Sequence, residues 1–131
     1  MKSLQAGCVT KNQNLKHNAM VKRKNIVLGV TASIAIYKAC EIVRRLKNEG
    51  CSVTVIMTPE SEELIKPILF QGLSGNKVYR GLFDDLEAWE IEHVSLAKKA
   101  DLVLIAPATA NIIGKIASGL CDDLLTCVVC A

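Results

Sequence analysis

The chain has 131 residues, half of them hydrophobic, enough for one domain with a modest core. Its formal charge of +3 is unevenly placed: residues 1–24 hold six of the 16 basic residues (Lys2, Lys11, Lys16, Lys22, Arg23, Lys24) and no acid, leaving ten basic against 13 acidic residues, a net −3. That balance argues against nucleic acid as a partner, no run is long enough for a membrane helix, and the N-terminus lacks the apolar stretch of a secretory signal.

Residues 1–24 are polar and aperiodic and read as a flexible basic tail. Residues 25–131 read as one domain. Ile26-Val27-Leu28-Gly29-Val30 is a continuous apolar run, expected of a parallel strand covered on both faces. The turn Thr31-Ala32-Ser33 leads into a predicted helix over 34–48, with Ala35, Ala39, Ile42, Val43 and Leu46 inward, Glu41–Arg45 as an i,i+4 pair and Gly50 after its end. Ser52 to Met57 alternates as a second parallel strand, closing a βαβ unit. Pro59 and Pro67 mark helix starts and Gly72 and Gly75 breaks. A short strand follows at 77–79, an acidic loop with Trp89 at 80–92, and a short helix at 93–99. Residues 102–106 predict another buried strand, and 110–119 a helix with Ile112, Ile113, Ile116 and Ala117 inward. Asp122–Ala131 fits a helix better than a strand, and its apolar part is expected to find nothing to pack against. The pattern predicts a doubly wound, three-layer α/β domain with a parallel sheet, incomplete at its C-terminal side.

Six cysteines form no paired ligand set, since Cys127–Cys130 is the one C-x-x-C and has no histidine nearby. They are expected to be small buried hydrophobes in a reducing compartment, with no metal.

Ligands of such sheets sit beyond the carboxyl ends of the strands. Three loops fall there. Thr31-Ala32-Ser33 offers a phosphate site at a helix start, or only an N-cap at Ser33. Thr58 offers a neutral hydroxyl after the second strand, or a cap before Pro59. Pro107-Ala108-Thr109-Ala110-Asn111 offers small residues, a hydroxyl and an amide, or a turn capped by Thr109. Gly29 is the lone glycine of the first loop, and the second strand ends at Met57-Thr58 without an acid for a ribose, so NAD is disfavoured. His93 is the only histidine of residues 25–131. Glu87, Glu90 and Glu92 would favour its protonated form if they stood close.

Four segments together resemble a known family. They are IVLGVTASIAIYK (26–38), FQGLSGN (70–76), HVSLA with Ala100-Asp101 (93–101), and APATANIIGKIASGLCDDLL (106–125). In this order they resemble the phosphopantothenoylcysteine decarboxylase domains of the cysteine-decarboxylase flavoprotein family, usually fused in bacteria to a ligase. The resemblance covers 25–131 and implies a flavodoxin-like fold that binds FMN in a cytoplasmic homo-oligomer, a trimer or a multiple, with the active site between subunits. It implies that Ala32, Ser33 and Ile34 line the FMN phosphate, that Thr58 sits at the second flavin loop, that Thr109, Ala110, Asn111 and Ile112 form the third, and that His93 is catalytic. The implied reaction is oxidative decarboxylation of 4′-phospho-N-pantothenoylcysteine to 4′-phosphopantetheine. The chain departs from the family at Ala32 and Ser33, where two glycines are common, and at Ile112, where a threonine is. The family's Pro-x-Met-Asn motif and substrate clamp have no counterpart in it, so the chain alone is expected not to decarboxylate. A non-catalytic flavin-binding subunit, a peptidyl-cysteine decarboxylase and a flavin prenyltransferase are the alternatives.

Overall fold

The computed structural model describes residues 23–82 and 92–131. Nearly all of the predicted tail, and most of the acidic loop with Trp89, lie outside the described residues.

The apolar runs become four strands: β1 (Asn25–Val30), β2 (Ser52–Met57), β3 (Val78–Tyr79) and β4 (Leu102–Ile105). They form one all-parallel sheet in the order β3-β2-β1-β4, with Leu28 opposite both Val55 and Leu104. Successive side chains alternate between two cores. Leu28, Val30, Val53 and Val55 face one side with Phe70, Ala39 and Val43; Val27 and Ile56 face the other with Leu96, Ile112 and Leu125. Helices cover both faces, as expected of a doubly wound domain.

The predicted helix over 34–48 is two elements. Ser33 Oγ accepts the N–H of Ala35 at 3.3 Å and the Ser33 carbonyl accepts that of Ile36 at 2.9 Å. This tight capping winds Ile34–Ile36 as a 3-10 turn before α1 (Tyr37–Asn48) begins. Glu41 pairs with Arg45 at 2.9 Å and also with Arg44 at 2.8 Å. Their hydrogen bonds, Arg45 first, hold the Glu41 carboxyl below its ordinary pKa.

Pro59 and Pro67 open α2 (Pro59–Glu62) and α3 (Pro67–Ser74). Gly72 stays inside α3, contrary to its reading as a break; only Gly75, at φ 72°, ends the helix. α4 (Glu92–Lys99) leads into β4, and α5 (Ala110–Ser118) follows it. Only one stripe of α5 faces inward. Ile112 is buried and Ile116 packs partly against the core, whereas Ile113 is 58% exposed and Ala117 is exposed too, contrary to expectation. A residue one step along a helix turns about 100° away from its neighbour, which takes Ile113 and Ala117 off the stripe.

Residues 124–130 form a helix, α6 (Leu124–Cys130), and the N-cap decides it. Asp123 Oδ1 accepts the N–H of Thr126 at 2.8 Å, and Thr126 Oγ1 accepts the N–H of Asp123 at 3.2 Å. Leu124, Leu125 and Val128 are buried in the second core, so the expected exposure of this apolar segment is wrong. Gly29 makes room for it: a Cβ there would stand 2.5 Å from Leu125 Cδ1. β4 departs in the opposite sense. Among the described residues it is an edge strand, and it is half-buried, with Leu102 54% exposed. The cysteines are also less buried than expected. Cys121 and Cys130 are exposed, Cys40, Cys51 and Cys127 half-buried, and all five are free thiols. The Cys121 thiol donates to the Gly119 carbonyl at 3.6 Å, and the neighbouring Cys130 thiol is the first cause of a Cys121 pKa raised to about 11. No helix among the described residues is long and apolar enough to cross a membrane.

Candidate functional site

The chain runs from β1 to β2 on one side and later returns to β4 on the other side of β1. The strand order therefore reverses between β1 and β4, and loops leaving their carboxyl ends open a crevice. Thr31 holds the two loops together. It is 2% exposed, its hydroxyl donates to the Pro107 carbonyl at 2.6 Å, and the same oxygen accepts the N–H of Thr109 at 3.2 Å. The Ala106–Pro107 peptide is cis.

A cavity of about 350 Å³ opens at this edge. Ala32 enters it from the first loop and Thr58 from the second. Thr58 is 7% exposed, and its hydroxyl makes no cap bond to α2, which removes the capping alternative there. Thr109, Asn111 and Ile112 enter from the third. Thr109 does cap α5, accepting the Ile112 N–H at 3.3 Å, and its O–H proton remains as a donor. Ile112 is 2% exposed and packs into the core below, so its side chain anchors the loop instead of offering a hydrogen bond.

Five of the eight predicted cofactor residues thus line one cavity. Ser33, Ile34 and Ala110 do not: Ser33 caps the 3-10 turn, and Ile34 is 93% exposed. His93 is half-buried in the first turn of α4 and lies outside the cavity lining. Glu92 does not serve it. One Glu92 oxygen accepts from Lys77 at 3.3 Å and the other is buried without a hydrogen-bond partner, beside a second cavity of about 340 Å³ under α4. Glu87 and Glu90 lie outside the described residues.

Sequence reasoning missed four members of the site. Thr31 was taken only as part of a turn, and its bridging role depends on a loop 76 residues away. Glu60 lines the cavity two positions beyond Thr58, so the second loop does bring a carboxylate, although the glycine fingerprint is still absent. Lys115 and Asp123 line it as well. Lys115 lies one helical turn beyond Asn111, which is a readable signal; Asp123 needed the knowledge that α6 is a helix. Lys115 Nζ is 2.9 Å from Asp122 and 3.2 Å from Asp123, and these bonds, Asp122 first, push its pKa upward. Among the described residues no group of histidine, cysteine, aspartate and glutamate could hold a metal ion.

These positions can be set beside known proteins. The chain is 42% identical over 112 residues to the coenzyme A biosynthesis bifunctional protein CoaBC of Bacillus subtilis and 46% identical over 107 residues to that of Mycolicibacterium smegmatis. These matches take in 86% and 82% of the chain but only 28% and 25% of the relatives, so the chain spans about a quarter of their length. Its fold resembles the FMN-dependent cysteine decarboxylase SpaF (TM-score 0.76, 27% identity, 82% of this chain and 63% of that one). It also resembles a PPC decarboxylase variant complexed with pantothenoylaminoethenethiol (TM-score 0.68, 28% identity, 83% and 60%) and the peptidyl-cysteine decarboxylase EpiD (TM-score 0.67, 28% identity, 81% and 62%). The sequence profile described as Flavoprotein matches residues 14–131, which takes in every strand, every helix and all three loops of the crevice, and the chain belongs to that flavoprotein family.

Proposed function

We propose that the chain is the FMN-binding part of a decarboxylase that converts 4′-phospho-N-pantothenoylcysteine to 4′-phosphopantetheine in coenzyme A biosynthesis. One observation carries the reading: three loops of a chain similar to CoaBC meet in one crevice at the switch point of a parallel sheet. The residues fit a flavin. The cavity has a floor of buried Ile112, a buried Thr58 hydroxyl spent on no cap, and an exposed Asn111 amide at its mouth. Ala32, Thr58, Thr109, Asn111 and Ile112 would hold the group, with Ser33, Ile34 and Ala110 following the phosphate and ring at the rim. Bound FMN would supply two-electron oxidation of the cysteine thiol end, which makes loss of the carboxylate possible, and would then return the electrons.

His93 is proposed as the residue that moves the proton. It does not line the cavity within one chain, which agrees with a site completed by a second subunit. The exposed apolar side chains Ile34, Tyr37, Leu64 and Ile68 belong to segments that leave β1 and β2 at the same edge, and they suit burial in a cytoplasmic homo-oligomer.

The test is purification of the full-length protein. It should be yellow, take FMN and not NAD, and release carbon dioxide from 4′-phospho-N-pantothenoylcysteine. Colourless protein stabilised by NAD alone would overturn the cofactor. A second reading, decarboxylation of a peptide ending in cysteine, is favoured by the likeness to SpaF and EpiD. Turnover of such a peptide with none of the pantothenoyl substrate would replace the first reading by the second. Flavin binding without turnover of either would leave a non-catalytic subunit or a prenyltransferase.

A further inference from the structure

Among the described residues Lys115 is the one cation lining the carboxyl-edge cavity, and it does not stand alone. Its ammonium lies between Asp122 Oδ1 at 2.9 Å and Asp123 Oδ2 at 3.2 Å. We propose that this cluster sets the electric charge against the flavin and so tunes how readily the flavin accepts electrons. The inference rests on the flavin reading above and goes beyond it, since that reading needs only that a flavin be held.

Three features support it. First, Lys115 is on the cavity face of α5: it follows Ile112 by three positions and Asn111 by four, and all three line the cavity. Second, the cluster is fixed. Asp123 gives one carboxylate oxygen to the α6 cap and the other to Lys115, so its carboxylate cannot swing away without uncapping the helix. Third, its inner pair is poorly screened. The side chains of Lys115 and Asp123 are only 20% and 15% exposed, against 48% for Asp122, and charges sheltered from water act more strongly on a neighbour. Two carboxylates face one ammonium, so the cluster carries a net negative charge, and Glu60, exposed in the same lining, adds a more strongly screened one. Reduction places electron density on a flavin. A negative surplus beside it disfavours the reduced form and holds the potential down; removing one carboxylate leaves a neutral pair and relaxes that effect.

The experiment uses the full-length protein and measures FMN affinity together with the two-electron midpoint potential of the bound flavin. Asp123→Asn keeps the cap, because asparagine caps as well as aspartate, and deletes the charge together with the oxygen that Lys115 uses. Asp122→Asn deletes a charge that is 48% exposed and takes no part in the cap, so it reports even if Asp123→Asn folds poorly. Asp123→Asn should raise the preference for reduced over oxidised flavin about fivefold, which is about 20 mV for a two-electron couple, and Asp122→Asn, the more exposed charge, should move it the same way by less. Lys115→Met should move the potential the other way. Loss of affinity for both redox forms in equal measure, with the potential unchanged in Asp122→Asn, would reduce the cluster to a structural tie and overturn the inference. A wild-type protein that holds no flavin would instead overturn the functional reading beneath it.

Discussion

Gly29 carries more weight in this chain than a glycine in a strand ordinarily does. The Leu125 side chain occupies the space where its Cβ would be, so the contact between β1 and α6 depends on one missing methyl group. Gly29→Ala should cost about 1–3 kcal/mol through overpacking, read as a lower midpoint in urea unfolding. A stability equal to wild type would mean that α6 does not sit on β1. His93 makes the opposite case, because the expectation placed on it is chemical and not structural. It is half-buried and does not line the carboxyl-edge cavity. His93→Asn should therefore leave unfolding and FMN content unchanged while carbon dioxide release falls about 10²–10⁴-fold, the usual range for a general acid–base group. Unchanged turnover would make His93 a structural residue.

At the scale of elements, the loop after β1 and the loop after β4 act as one unit because Thr31 bonds to both. Thr31→Val keeps the shape and removes the hydroxyl, stranding the Pro107 carbonyl and the Thr109 N–H. It should destabilise by about 1–3 kcal/mol and weaken FMN binding, measured by calorimetric melting and flavin fluorescence titration. Unaltered values would show that the two loops hold their places independently. The sequence made the elements legible wherever one signal dominated. The apolar runs of β1 and β2, the Pro59 and Pro67 starts and the Thr109 cap all work through near neighbours. What it hid depended on distant partners. The 3-10 turn at Ile34–Ile36, the outward side of α5 and the edge position of β4 follow from what lies next to each element in space. The site shows the same division. Ala32, Thr58, Thr109, Asn111 and Ile112 sit where strands end, which the β–loop–α rhythm gives directly, whereas Asp123 reaches the cavity only through the packing of α6.

For the molecule as a whole, we propose that residues 25–131 fold as one unit and that the basic segment before them adds little to its stability. Starting the chain at Arg23 should change stability by less than about 0.5 kcal/mol, a shift in melting temperature of no more than ~4 °C. A larger fall would show that the segment docks on the domain. The sheet itself has two protected strands and two edges. β1 and β2 are each flanked on both sides, while among the described residues β3 and β4 each have a neighbour on one side only. In deuterated solvent this contrast between inner and edge strands becomes a clock. Amides of β1 should retain their protons until global unfolding releases them, while in β4 those turned away from β1 should exchange within the dead time of a manual experiment and those bonded to it should persist. A strand half labelled and half silent would be the isotopic signature of an open sheet edge, and whatever protein segment comes to lie along that edge would be recognised by the silence it spreads to the other half.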